Sequence, residues 1–282
     1  MNRSDISDQF QGYFSASPVF VQAGSELRTL SVTLARALHV TLLAFAGQAL
    51  ADTPAFDRPG IAFSTSTIPR GGLAIELGVP DVLHESGAGT NSTLYRLDTN
   101  IRAGLAQNVD LELATPIFNY QQTKATGASN STSGLGDSSL SLKAVLPSTN
   151  EKFSWAGLAG VTLATGAKSF TEAEPLYTLA TSMSLNLDST YSAGFYINVN
   201  YFDGRTGGTL SPNLNVTLGE SLSVYVQAGY THFPQSPDTT IAGTGLAWMA
   251  TPTVQLDLSV DVGLTRNSPD FQGGIGVSFY IK

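Results

Sequence analysis

The stretch YSAGFYINVNYF, Tyr191 to Phe202, carries an apolar or aromatic residue at every second position. Successive side chains of an extended strand point to opposite faces. This segment therefore has one face of Tyr191, Ala193, Phe195, Ile197, Val199 and Tyr201 and another of Ser192, Gly194, Tyr196, Asn198 and Asn200. The alternation recurs to the end of the chain, whereas helical periodicity is scarce. It predicts twelve strands, over 72–80, 93–105, 109–119, 136–146, 153–164, 175–187, 191–202, 209–218, 221–232, 239–249, 253–263 and 271–281. Each holds nine to thirteen residues, beyond the about 5–6 usual in globular sheets and near the ~9–11 that a tilted strand needs to cross a bilayer.

The connections sort into two kinds. Residues 106–108, 188–190, 219–220 and 250–252 are tight turns and 147–152 is slightly longer, whereas 81–92, 120–135, 165–174, 203–208, 233–238 and 264–270 are longer loops. The two kinds alternate along the chain, as in outer-membrane barrels, whose periplasmic turns are short and external loops long. A soluble two-sheet sandwich would alternate too, with its apolar face inward. Strand length, loop alternation and an export signal select instead an all-β, 12-stranded antiparallel up-and-down transmembrane β-barrel. On that reading Leu111, Leu113, Leu256, Leu258, Val260 and Val262 meet outer-membrane lipid, the first expected partner.

The export signal lies near the start. Arg28 and Arg36 precede an apolar run from Ala37 to Ala46, and Ala49-Leu50-Ala51 is a small-residue cleavage site. The run is too short to span a bilayer. The expected organisation is a leader with a cleaved signal peptide over 1–51, an N-terminal periplasmic segment or small plug over 52–71, and the barrel over 72–282. A net charge of −8 without a basic stripe argues against nucleic acid. The lack of Cys removes thiolate chemistry, and neither a metal-ligand cluster nor a cofactor motif is visible in the sequence. The TGAKS stretch at 165–169 lacks the Gly-x4-Gly-Lys spacing of a phosphate loop.

The inward face carries the candidate functional residues. Glu76, Asp98, Asp110, Glu112, Asp257 and Asp261 oppose Arg96, Arg102 and Lys143, and Tyr196 and Tyr225 add aromatic surface. Such charges either filter solutes at a constriction or form cross-strand pairs, with Arg96 and Arg102 bridging to Asp110 and Glu112. No catalytic residue is assigned. The only enzymatic alternative, an outer-membrane hydrolase, would pair His232 with a loop serine such as Ser236. A structural or adhesive barrel is the other alternative.

Four stretches carry a family resemblance: FDRPG at 56–60, STIPRGGLAIELG at 66–78, GLGDSSLSLKAVL at 134–146 and TPTVQLDLSVDVGLTRNSPDFQGGIGVSF at 251–279. They resemble the outer-membrane barrel family of transporters linked to the meta-pathway of phenol degradation. Two departures stand out: Ala164-Thr165-Gly166 where the family has Pro-Thr-Gly, and Ile281-Lys282 after the aromatic Phe279 and Tyr280. The resemblance implies a Gram-negative outer-membrane channel or passive transporter for small molecules, aromatic or apolar ones among them. Its expected partners are those solutes and the barrel-insertion machinery.

Overall fold

The computed structural model describes residues 55–87 and 89–282, so the expected leader and signal peptide over 1–51 lie outside the described residues. No described residue is helical. The strands are β1 Leu73–Gly87, β2 Thr90–Ala106, β3 Val109–Ala125, β4 Ala128–Gly134, β5 Ser138–Leu146, β6 Phe153–Leu163, β7 Leu176–Asn186, β8 Tyr191–Phe202, β9 Arg205–Leu218, β10 Leu222–His232, β11 Thr239–Thr251, β12 Val254–Gly263 and β13 Phe271–Ile281. Each pairs antiparallel with its neighbours, and β1 pairs with both β2 and β13, which closes the sheet. β4 lies against residues 119–125 of β3 and β5 against residues 109–114. These two short strands therefore form one interrupted stave, and the ring is the expected barrel of twelve.

The outside is apolar because the alternation survives in register. Leu246, Leu258 and Ile275 stand side by side across β11, β12 and β13, all exposed, whereas Asp257 and Asp261 on the same β12 are buried. Aromatic residues bracket this belt. Tyr95 and Tyr120 meet at a ring separation of 6.3 Å and Tyr177 and Tyr201 at 6.4 Å near the end carrying the longer connections, while Tyr191 and Trp248 are exposed near the other end. Such girdles place amphipathic rings at the two membrane interfaces.

Three expected long loops are strand instead. β1 and β2 are separated only by residues 88–89, β3 and β4 by 126–127, and β8 and β9 by Asp203 and Gly204. The first two hairpins continue past the apolar belt in sequences such as HESG and QQTKA, where both faces are polar. A strand with water on both sides carries no alternation, which is why periodicity ended these elements early. β1 also shifts register between Gly78 and Asp81, and this bulge keeps both residues on the inward side.

Candidate functional site

The chain enters the barrel along the inward face of its own wall. The Gly71 amide donates to the Gly104 carbonyl (2.8 Å) and the Gly104 amide to the Gly72 carbonyl (3.0 Å), which fastens the turn into β1 against β2. Ile68, just before it, is fully buried. A side chain at Gly104 would strike the carbonyls of Ile68 and Pro69, so this close approach needs glycine.

Residues 55–68 then meet a cluster of buried charges. The Arg102 guanidinium lies 3.0 Å from Glu76, 2.8 Å from Asp110, 3.1 Å from Asp57 and 3.5 Å from Glu112. Lys143 Nζ lies 2.8 Å from Asp57 and 3.3 Å from Glu112. Four carboxylates and two cations thus converge: Glu76 on β1 and Asp110 and Glu112 on β3 flank Arg102 on β2, with Glu112 directly opposite it, because strand alternation projects every second residue inward. The wall carboxylates also accept backbone donors from the segment. Glu76 receives the Asp57 amide (2.9 Å) and the Arg58 amide (2.8 Å), and Asp110 receives that of Ile68 (2.9 Å). Arg102 returns hydrogen bonds to the carbonyls of Ala55 (3.1 Å) and Ser66 (3.2 Å). Withdrawing the segment would exchange these bonds for bonds to water, at a net cost of about 0.5–1.5 kcal/mol for each.

A second anchor lies further along the lumen. Arg58 donates to both oxygens of Asp81, at 2.8 and 2.9 Å, and lies 3.3 Å from Asp257. Burial opposes its charge, but Asp81 and Asp257 outweigh that and hold the guanidinium above its usual pKa. Its side chain crosses the wall over Gly276, where a Cβ would collide with Nε. Gln255 donates to the Arg58 carbonyl (2.8 Å), and Gln227 accepts from the Ile61 amide (3.0 Å) while donating to Asp261 (2.8 Å).

Two cavities border the segment among the described residues. One, of about 260 Å³, is lined by charged groups, among them Arg58, Asp81, Arg96, Asp98 and Asp261. The other, of about 320 Å³, lies between the segment and β7 to β10, and its lining is uncharged apart from Asp57. Pro59, Gly60 and Gln227 border both. The first opens among the middle of β1, β2, β12 and β13, the second nearer the turns that join β7 to β8 and β9 to β10.

The sequence-derived candidates divide accordingly. Glu76, Arg102, Asp110, Glu112 and Lys143 come together in one cluster, and Asp257 joins Arg58. Arg102 bridges the β2–β3 hairpin as expected of a cross-strand pair, but Arg96 does not: it reaches Asp98 on its own strand at 3.2 Å. The register places Arg96 opposite Asn119, several residues from Asp110 and Glu112. Tyr196 packs edge-on against Phe63 at 5.8 Å, and Tyr225 borders the uncharged cavity. Asp57 was not among the candidates, although it contacts both cations; it lies outside any alternating segment. Asp137 sits in the break between β4 and β5 and takes the amides of Gly166 (2.8 Å) and Glu172 (2.8 Å). Burial acts to raise its pKa, but these amides outweigh burial and hold the carboxyl below the usual range. His232 contacts Asp238 at 2.7 Å, and Asp238 also accepts from Tyr230; the Ser236 amide instead bonds to the Phe233 carbonyl.

The family described as "Putative MetA-pathway of phenol degradation" matches residues 56–281, and the chain belongs to that family. No curated protein sequence matches the chain. Among solved structures, an outer membrane channel from Pseudomonas putida F1 is 13% identical, with 79% of this chain and 99% of that chain covered and a TM-score of 0.60. The KdgM porin is 10% identical over 75% of this chain and 99% of that one, TM-score 0.49. The CymD monoaromatic hydrocarbon channel is 9% identical over 75% and 88%, TM-score 0.44. The first of these shares the fold, that of an outer-membrane barrel.

Proposed function

We propose that this family member is an outer-membrane channel that lets small molecules, aromatic or apolar ones among them, cross by diffusion and weak binding. The observation that carries this reading is the pair of cavities bordered in common by Pro59, Gly60 and Gln227, inside a barrel whose exterior is apolar. We further propose that residues 52–71 act as a plug. Glu76, Arg102, Asp110, Glu112 and Lys143 hold it at one end, Asp257 through Arg58 holds it further in, and Arg96, Asp98 and Asp261 face the solute route. The contacts of residues 55–68 with both charge groups support that role. Barrel-insertion machinery and outer-membrane lipid are the partners this architecture requires.

Planar-bilayer recording tests the reading. The protein gives a small steady ion current, and a variant lacking residues 55–66 gives a current several-fold larger. Absence of current from both refutes the channel; equal currents refute the plug.

A further inference from the structure

The uncharged cavity has a lining unlike the rest of the lumen. Ser182, Ser184, Asn213 and Asn215 form its wall on β7 and β9, and Phe56 and Phe63 close it from the segment. The fixed charge at its edge, Asp57, is engaged by Lys143, Arg102 and the Ser64 amide at 2.8, 3.1 and 2.9 Å. A charged solute therefore finds no free counter-ion there. One group on the wall points to a ligand. Ser182 Oγ is buried, with the residue only 2% exposed, and has no hydrogen-bonding partner among the described residues. Buried hydroxyls are nearly always hydrogen-bonded, so one left unmatched beside a cavity marks a place where another molecule supplies the partner. The neighbouring amides add directionality, since Asn215 donates to Asn213 (2.8 Å) and leaves their other donors and acceptors for a solute.

Resting on the channel reading, we propose that this cavity is a binding subsite for an uncharged ring-shaped molecule carrying hydroxyl groups. The ring lies against Phe56 and Phe63, and its hydroxyls bond to Ser182 and the Asn213–Asn215 pair. A bare hydrocarbon would desolvate these polar side chains without replacing their bonds, at a cost that polar-site selectivity turns into rejection. A carboxylate would meet Asp57 with no unoccupied cation. The volume of about 320 Å³ admits such a ring, since it equals roughly ten waters at ~30 Å³ each.

Hydroxylated rings come in two kinds, aromatic and saturated, and the test separates them. Calorimetric titration of the detergent-solubilised full chain uses resorcinol, myo-inositol, toluene and benzoate. Binding by resorcinol, inositol or both, and not by toluene or benzoate, is the expected result. Ser182→Ala weakens that binding about five- to tenfold, a loss of about 1–1.4 kcal/mol. Because Ser182 Oγ bonds nothing described in the protein, a purely structural role predicts no change. Asn215→Leu, as a second variant, weakens it further. Equal binding of toluene, or affinities unchanged in both variants, overturns the subsite. Ion current through the wild type with no binding of any probe overturns the subsite and leaves the channel standing, whereas binding without current does the reverse.

Discussion

Arg58→Ala should separate the proposed plug from the barrel. The guanidinium makes two bonds to Asp81 and a contact to Asp257, and the three side chains are 20%, 15% and 0% exposed. Removing one partner of a buried ion pair costs about 3–5 kcal/mol, and the partial exposure of Arg58 and Asp81 puts this case near the lower end, about 3 kcal/mol. That energy belongs to the bound state of the segment, because the carboxylates left behind are hydrated once the segment moves away. The ratio of bound to released segment should fall by about two orders of magnitude. Single-channel recording reads this directly: openings to the conductance level of the variant lacking residues 55–66 become about 100-fold more frequent relative to wild type. Arg58→Lys, which keeps the charge and loses the two-pronged geometry, lies between. Urea unfolding from lipid vesicles loses at most the same ~3 kcal/mol, because a segment bound only to the folded barrel stabilises it by its own binding free energy, and the variant lacking residues 55–66 sets the lower limit. If Arg58→Ala records like wild type, or if it unfolds more easily than the variant lacking residues 55–66, the anchor does not hold a separable plug.

Leu258 is exposed at the middle of β12, beside Leu246 and Ile275. Leu258→Arg should destabilise the barrel in vesicles by about 2–4 kcal/mol if that position lies at the bilayer midplane, and a change below 1 kcal/mol would place it outside the hydrocarbon. Asp137 predicts a pH effect at the external loops. Its folded pKa lies below the unfolded value, so the tie to Gly166 and Glu172 is fully present above about pH 4 and lost as the pH falls through the depressed value. Amide exchange at Gly166 and Glu172, referenced to β6, should lose protection only on such acidification. In Asp137→Ala it should already be several-fold faster at neutral pH; protection equal to wild type would show the carboxylate to be idle.

The barrel was legible because lipid imposes a rule on every strand that crosses it: one face apolar, one face not. That rule recovered β6 to β13 to within two residues at each end except the start of β9, which begins four residues earlier than expected, and it failed where lipid ends, in the upper parts of β1, β2 and β3 and in β4. It also put Asp110, Glu112, Arg102 and Lys143 on one side, where they meet in one cluster, but not Asp57 among them, since inward direction says nothing about what fills the lumen.

The segment over 55–71 obeys no periodicity because it is neither strand nor helix, and its bonds go to side chains of a wall whose residues lie up to 199 positions away. Its trace is nonetheless written in the wall. Gly104 under Ile68 and Pro69, and Gly276 under Arg58, are inward positions without side chains in strands that otherwise point polar groups inward. A glycine on the lumen face weakens a strand and packs nothing, so it is retained where another backbone or side chain must come close. The wall carboxylates support the same inference. Glu76 and Asp110 are fully buried and each accepts backbone amides from the segment, an arrangement that a water-filled pore would not require. The charges expected to screen passing ions are therefore mostly spent on holding the chain's own N-terminal stretch. Among the acidic candidates, Asp98 and Asp261 are the exceptions: Asp98 pairs with Arg96 on its own strand, and Asp261 borders the same outer cavity with the amides of Gln227 and Gln272 as its hydrogen-bonding partners among the described residues. On the proposed reading, selection by charge falls to that outer space and selection by hydrogen bonding to the uncharged wall beyond Gln227.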